Sequence, residues 1–199
     1  MTRYVPASIR QRLRGLLAHE GPPIDVPGRM FFGDREMRQA GVLIPIFERA
    51  GQMHVLLTRR SVELRNHSGE ISFPGGRRDP EDADLLATAL REAHEEISLA
   101  PGDVDVFGLF ASVPTMTGFQ ISAYVGEFED PYELCACPDE IDYLVELSFE
   151  ELLEGQLHRM KLEEFKGIEF PMHRFELDVQ PIFGATAYML YELLVRSTT

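Results

Sequence analysis

Apolar positions recur along this chain with two different periods, and the alternation between them predicts both helices and strands. Residues 8 to 18 carry Ile9, Leu13, Leu16 and Leu17 at helical spacing, then meet the breaker Gly21-Pro22-Pro23 and a loop running toward residue 38. The stretches "GVLIPIFE" and "HVLLTRR" are rich in β-branched and aliphatic residues and read as two strands. "RAGQ" joins them with a glycine in the turn, as a hairpin requires. The strongest helical pattern covers residues 82 to 99. Strand-like runs follow at 104 to 113 and 119 to 128, then a loop with proline and cysteine, "EIDYLVELS", and a short helix "FEELLEG". The C-terminal "IFGATAYMLYELLVRS" places Ile182, Thr186, Met189, Leu190, Leu193 and Leu194 on one side and predicts a packing helix. Strands that precede and surround one central helix imply a mixed α/β sandwich.

In that central helix, "LREAHEEIS" crowds Glu92, Glu95 and Glu96 into little more than one turn beside Arg91. A rotation of about 100° per residue places Leu86, Ala89, Ala93 and Ile97 on one face and assigns the three glutamates to a face roughly opposite. Glu92 and Glu96 are like charges at i,i+4, which weakens a bare helix by a few tenths of a kcal/mol. Arg91 faces Glu95 at the same spacing and offsets part of that. Two readings compete: a solvated helix face, or a site for Mg2+ or Mn2+, hard cations that take carboxylate oxygens and phosphate oxygens together.

The upstream residues discriminate between them. "FPGG" ends a strand with two glycines, which lets the backbone approach a ligand closely. The acidic loop "RRDPEDAD" then enters the helix, with Asp82 or Asp84 able to cap it. Gly76 together with Arg91, Glu92, Ala93, Glu95, Glu96 and Leu99 resembles the Nudix box, which runs Gly, five residues, Glu, seven residues, Arg-Glu-apolar-x-Glu-Glu-x-Gly-apolar. Two positions depart from it: Asp82 stands at the first glutamate, one residue further from Arg91 than the box expects, and Ser98 replaces the late glycine, which suggests a different exit from the helix. "LLTRRSVELRNHSGEISFPGG" is also similar to the signature of the coenzyme A pyrophosphatase branch, matching Leu56, Leu57, Thr58, Arg60, Ser61, Arg65, Gly69, Phe73, Pro74, Gly75 and Gly76 without a gap. The two motifs cover less than a quarter of the chain, and "IFGATA" resembles that branch more weakly.

The resemblance implies a Nudix-type α/β/α sandwich with a mixed sheet and a central metal-binding helix. It implies one such domain over residues 1–199, with an N-terminal helical extension (about 1–38) and the packing helix (about 182–196). It further implies metal-dependent hydrolysis of the pyrophosphate bond of coenzyme A or its thioesters. Glu92, Glu95 and Glu96 would hold Mg2+ or Mn2+, Arg91 would belong to the catalytic box, and Glu140 in "PDEID" is a candidate general base. Arg60, Arg65, Gly75 and Gly76 would meet the substrate's phosphates. For the 3'-phosphate of coenzyme A, Arg59, Arg60, Arg65, His67, Arg77 and Arg78 are all basic enough and stay unranked.

Charge and cysteine usage narrow the partners. With 33 acidic against 19 basic residues the formal charge is −14, which argues against nucleic acid and anionic membranes and means an anionic substrate needs local arginines or a cation. No apolar run approaches the ~18 residues of a membrane span, and no signal-peptide pattern opens the chain, so a cytoplasmic setting is expected. Cys135 and Cys137 read as free thiols. Met116 and Phe119 could line a substrate loop or pack in the core, and apolar loops and strands could support a homodimer. Two alternatives stay open: another Nudix activity, on ADP-ribose, NADH or a dinucleoside polyphosphate, and a noncatalytic nucleotide- or protein-binding module.

Overall fold

One strand lends both of its edges to the rest of the sheet. In the computed structural model, which describes residues 5–18, 24–25, 36–64, 67–165 and 167–198, the chain forms α1 (Pro6–Leu17), β1 (Ile24–Asp25), β2 (Arg38–Arg49), β3 (Gln52–Arg60), β4 (Ile71–Ser72), β5 (Gly75–Arg77) and α2 (Leu85–Ile97). It continues through β6 (Asp105–Pro114), β7 (Phe119–Glu127), β8 (Ile141–Ser148), α3 (Phe149–Leu153), β9 (His158–Phe165), β10 (Ile168–Phe175) and α4 (Gly184–Thr198). Among the described residues the main sheet has eight strands, in the order β1-β6-β7-β2-β3-β4, with β5 paired to β2 and β8 to β3.

Strand β2 runs parallel to β7 along one edge, and its other edge is divided between two partners. Ile46 to Arg49 pair with β3 through the expected hairpin, whose turn residues Ala50 and Gly51 both have positive φ, 52° and 77°, matching the twist of the strands. Toward its start, Ala40, Gly41 and Val42 pair instead with Arg77, Gly76 and Gly75 of β5. Between the two pairings, the N–H of Leu43 donates to the Pro74 carbonyl at 3.0 Å. The "FPGG" segment therefore fills a split between β2 and β3.

Alternation along these strands builds two cores. Leu43, Phe47 and Leu56 point to one face, where Ala89, Ala93 and Ile97 of α2 cover them. Val42, Ile44, Ile46, Val55 and Leu57 point to the other, under Ile9 and Leu13 of α1 and Leu190, Leu193 and Leu194 of α4. Each such fully buried aliphatic side chain contributes roughly 1.5–3 kcal/mol relative to exposure, so both helix layers are held mainly by apolar burial. Helices on both faces of a mixed sheet make the α/β/α arrangement expected above.

The structure departs from the pattern reading in three places. Residues 156 to 181 have no element assigned above, yet β9 and β10 form a two-stranded antiparallel hairpin there. His158 and His173 of this hairpin stack on Tyr191 of α4, with ring centroids 5.0 and 4.0 Å away. Within the loop expected toward residue 38, Ile24 and Asp25 pair in parallel with β6, and residues 19–23 and 26–35 lie outside the described residues. Ser98 does not change how α2 ends: it takes the left-handed conformation at φ 60°, the one a glycine would adopt there, and its N–H donates to the His94 carbonyl at 3.0 Å.

Candidate active site

Glycines bring α2 against the split in the sheet. A Cβ on Gly41 would lie 2.2 Å from the Leu85 carbonyl oxygen, and one on Gly76 would lie 2.5 Å from the Glu92 carboxylate. Only glycine permits this approach. Asp84 caps the helix, accepting from the Ala87 N–H at 2.8 Å. Asp82 instead turns inward, where it accepts two hydrogen bonds from Arg91, at 3.0 and 3.1 Å, one from the Thr88 hydroxyl and one from the Asp79 N–H. The extra residue in the spacing is taken up in the turn before the helix begins, so Asp82 still reaches Arg91. The Arg91 guanidinium holds the Asp82 carboxyl well below the usual carboxylate range.

The three glutamates do not share one face opposite the core, which corrects the expectation above. Glu96 is buried between helix and sheet with 3% of its side chain exposed, Glu92 is 17% exposed, and only Glu95 points to solvent at 56%. Counting 100° per residue from Ala89 places Glu96 only about 20° away, beside the core stripe. Glu96 accepts from Arg60 at 3.2 Å and from the Gly75 N–H at 3.3 Å, while Arg91 Nη1 lies 2.9 Å from both Glu92 and Glu95. Burial pushes the Glu96 carboxyl up to about 8 against the pull of the Arg60 charge, and the charges of Glu92 and Glu140 add to the rise. Burial raises the Glu92 carboxyl as well, with Arg91 opposing it.

Among the described residues, no three acidic, histidine or cysteine side chains converge closely enough to hold a metal ion in this arrangement. The donor chemistry nevertheless fits a hard divalent cation. Buried carboxylates with raised pKa values are groups whose charged form a cation would favour, and their oxygens suit Mg2+ or Mn2+. The same burial sets a pH dependence. Because the folded value of Glu96 is raised above its ordinary 4.5, its contribution to stability is complete below about pH 4.5 and is lost as pH rises toward 8. Thermal melts of the metal-free protein should therefore show Tm falling over this window, with a shallower fall in E96Q; parallel curves would refute the assignment.

Glu140 is exposed at the start of β8, and its charge acts on both Glu92 and Glu96. Backbone bonds fix its loop to the site: the Ser61 N–H donates to the Glu140 carbonyl at 2.7 Å, and the Cys137 N–H donates to the Glu96 carbonyl at 2.8 Å. Both cysteines are free.

On the other side of β5 lies a cleft of about 840 Å³. Arg60, Gly75, Gly76 and Arg77 line it at the split, Met116 and Phe119 at the β6–β7 turn, and Phe183 to Thr186 of the "IFGATA" stretch at α4. Phe170, Met172 and His173 of the β9–β10 hairpin close it, an element the pattern reading missed. The alternation of Met160 and Leu162 with Arg159 and Lys161, before Gly167 at φ 78°, is the signal that reveals it. Glu92 and Glu96 thus meet Gly75 and Gly76 from the helix side while the cleft meets the same glycines from the opposite side. Of the remaining basic candidates, Arg59 pairs with Asp142, His67 lies 2.9 Å from Glu70, Arg78 donates to the carbonyls of Asp82 and Ala83, and Arg65 lies outside the described residues. His94 is exposed on α2.

The chain is similar to known proteins in sequence and fold. Residues 37–181 match the model of the NUDIX domain. The chain is similar to an uncharacterised Nudix hydrolase NudL of Escherichia coli, at 40% identity over 80% of this chain and 82% of the relative. It is also 42% identical to the protein of the same name from Citrobacter koseri over 63% of this chain, where the match spans 65% of the relative's length. The fold is similar to that of an Ap4A hydrolase of C. elegans, with a TM-score of 0.50 and 17% identity over 58% of this chain and 83% of that one. The chain accordingly belongs to the Nudix hydrolase family, whose members act on small nucleotide substrates with the help of a divalent cation.

Proposed function

We propose that the protein hydrolyses the pyrophosphate bond of coenzyme A and its thioesters, releasing adenosine 3',5'-bisphosphate and 4'-phosphopantetheine or its acylated form. One observation carries this reading. The ungapped run from Leu56 to Gly76, similar to the coenzyme A pyrophosphatase signature, forms β3, β4 and β5 and lines the cleft where it adjoins the buried glutamates.

Glu92, Glu95 and Glu96 would hold Mg2+ or Mn2+, which supplies Lewis acidity and neutralises charge on the phosphate oxygens when bound. Arg91 acts through them: it grips Asp82 on one side and Glu92 and Glu95 on the other, so it is a positioning residue. Arg60 would offer its guanidinium to the pyrophosphate from the cleft side, with Arg65 as its partner. Gly75 and Gly76 leave room for the phosphates to approach the backbone. Glu140 would take the proton from the attacking water as the new P–O bond forms and the bridging P–O bond breaks. Its exposure suits that task, since a solvent-facing carboxylate can release the proton afterwards.

The cleft supports the substrate's length and character. Its volume of about 840 Å³ lies in the upper range of small-molecule sites, and its walls combine Arg60 and Arg77 with several Phe and Met side chains. The direct test is the nucleotide released when the protein is incubated with coenzyme A and Mg2+ or Mn2+. Adenosine 3',5'-bisphosphate is the expected product, and intact coenzyme A would refute the reading.

A further inference from the structure

Beside the cleft, and sharing Arg77 with it, lies a second hollow of about 390 Å³ lined by Glu36, Met37, Arg38, Gln39, Arg77 and Arg78. Three of the six residues lining it are arginines, in a chain with a formal charge of −14. Elsewhere at the site the arginines are neutralised: Arg59 by Asp142, Arg60 by Glu96, and Arg91 by Asp82, Glu92 and Glu95. Among the described residues, none of the three around the hollow has a carboxylate partner, and the Arg77 side chain makes no hydrogen bond or ion pair at all.

The sheet aims these groups. Arg77 pairs directly with Ala40 across β5 and β2, so Arg77 and Arg38, two residues along, share one face as diagonal neighbours. That is the face away from α2, because Gly41 and Gly76 supply the face against the helix. Arg38 is held in place, its guanidinium 3.9 Å above the Phe119 ring with one nitrogen donating to the Thr117 carbonyl at 3.0 Å. Arg78 is held as well, donating to the carbonyls of Asp82 and Ala83 at 3.1 Å. Arg38 shares the face of Arg77, and Arg78, next in the chain and held toward the start of α2, lines the same hollow, with Glu36 the acid among the lining residues.

We infer that Arg77, flanked by Arg38 and Arg78, is a receptor for a phosphate monoester outside the bond being cleaved. Resting on the coenzyme A reading above, it is the group that recognises the 3'-phosphate of the adenosine. A guanidinium matches such a group because its paired N–H donors meet two phosphate oxygens at once. Arg59 and His67 each already face a carboxylate that offsets their charge, and Arg60 both faces Glu96 and is assigned above to the pyrophosphate.

The test is calorimetric titration of adenosine 3',5'-bisphosphate and adenosine 5'-monophosphate into the wild-type protein, R77A and R12A. Arg12, on α1, provides an equal loss of charge elsewhere. The wild type and R12A should bind the bisphosphate about tenfold or more tightly than the monophosphate, a preference that falls to about twofold or less in R77A. Arg77 is exposed and unpartnered, so R77A should keep the wild-type Tm. A preference that survives in R77A, or is absent from the wild type, would overturn the inference. The binding readout is independent of turnover: coenzyme A left intact while the preference tracks Arg77 would remove the substrate reading alone, and coenzyme A cleaved with the preference untouched by R77A would remove this inference alone.

Discussion

E96Q is expected to fold normally and to lose hydrolytic activity by about 10²–10³-fold in kcat, the scale on which a single electrostatic group at a reacting centre acts. Glutamine keeps the size of the side chain, and its single amide oxygen can still accept from Arg60 or from the Gly75 N–H, which in Glu96 meet separate oxygens. What it cannot supply is negative charge. Burial raises the Glu96 carboxyl to about 8, so the protein holds a group whose ionised form is disfavoured until a cation compensates it. Such a group serves charge compensation at the site better than it serves stability. E96Q should accordingly be at least as stable as the wild type at pH 8 without metal, and activity within twofold of wild type would remove the cation-holding role from α2.

The second large effect is on the fold. G41A should lower stability by about 3 kcal/mol, the upper end of ordinary overpacking costs, and depress Tm by about 6–12 °C. The reason is what the new methyl group would meet: the Leu85 carbonyl at 2.2 Å, the Ala89 nitrogen at 2.9 Å and the Thr88 Cβ at 2.9 Å. Two of these are helix backbone, which cannot rotate aside, so α2 must lift from β2. Lifting α2 also moves Glu92 and Glu96 away from Gly75 and Gly76, and activity should fall with stability. A matched comparison is G15A, where nothing lies within 4 Å of the new methyl and the helix interior should gain up to about 1 kcal/mol. Equal Tm values for G41A and the wild type would contradict the close approach of helix and sheet.

Local pattern carried much of the architecture. The β2–β3 hairpin is legible because Ala50-Gly51 separates two aliphatic runs, and α2 and α4 because their apolar positions recur at helical spacing. The glycines of "FPGG" suggested a close approach to a ligand; the close approach the structure shows is to Val42 and to the Glu92 carboxylate. The burial of Glu96 was within reach of a helical wheel, but a cluster of like charges reads as a solvated face unless each angle is counted. The division of β2 between β3 and β5 depends on where β3 departs, and no periodicity encodes that. For the arginines, sequence shows how many there are, whereas their partners decide which one is free. Arg59 and Arg77 look alike in the chain, but Arg59 is held by Asp142 and lies over the Tyr143 ring while Arg77 is exposed.

Specificity for coenzyme A within the Nudix family is tested by kcat/KM for coenzyme A, ADP-ribose and NADH side by side, with Mg2+ and with Mn2+, and with the products identified. Cation-dependent release of adenosine 3',5'-bisphosphate from coenzyme A, with kcat/KM about tenfold or more above the other two, is the expected result, since a site built to bind a polar group penalises substrates that lack it. Cleavage of ADP-ribose or NADH with coenzyme A left intact would contradict it.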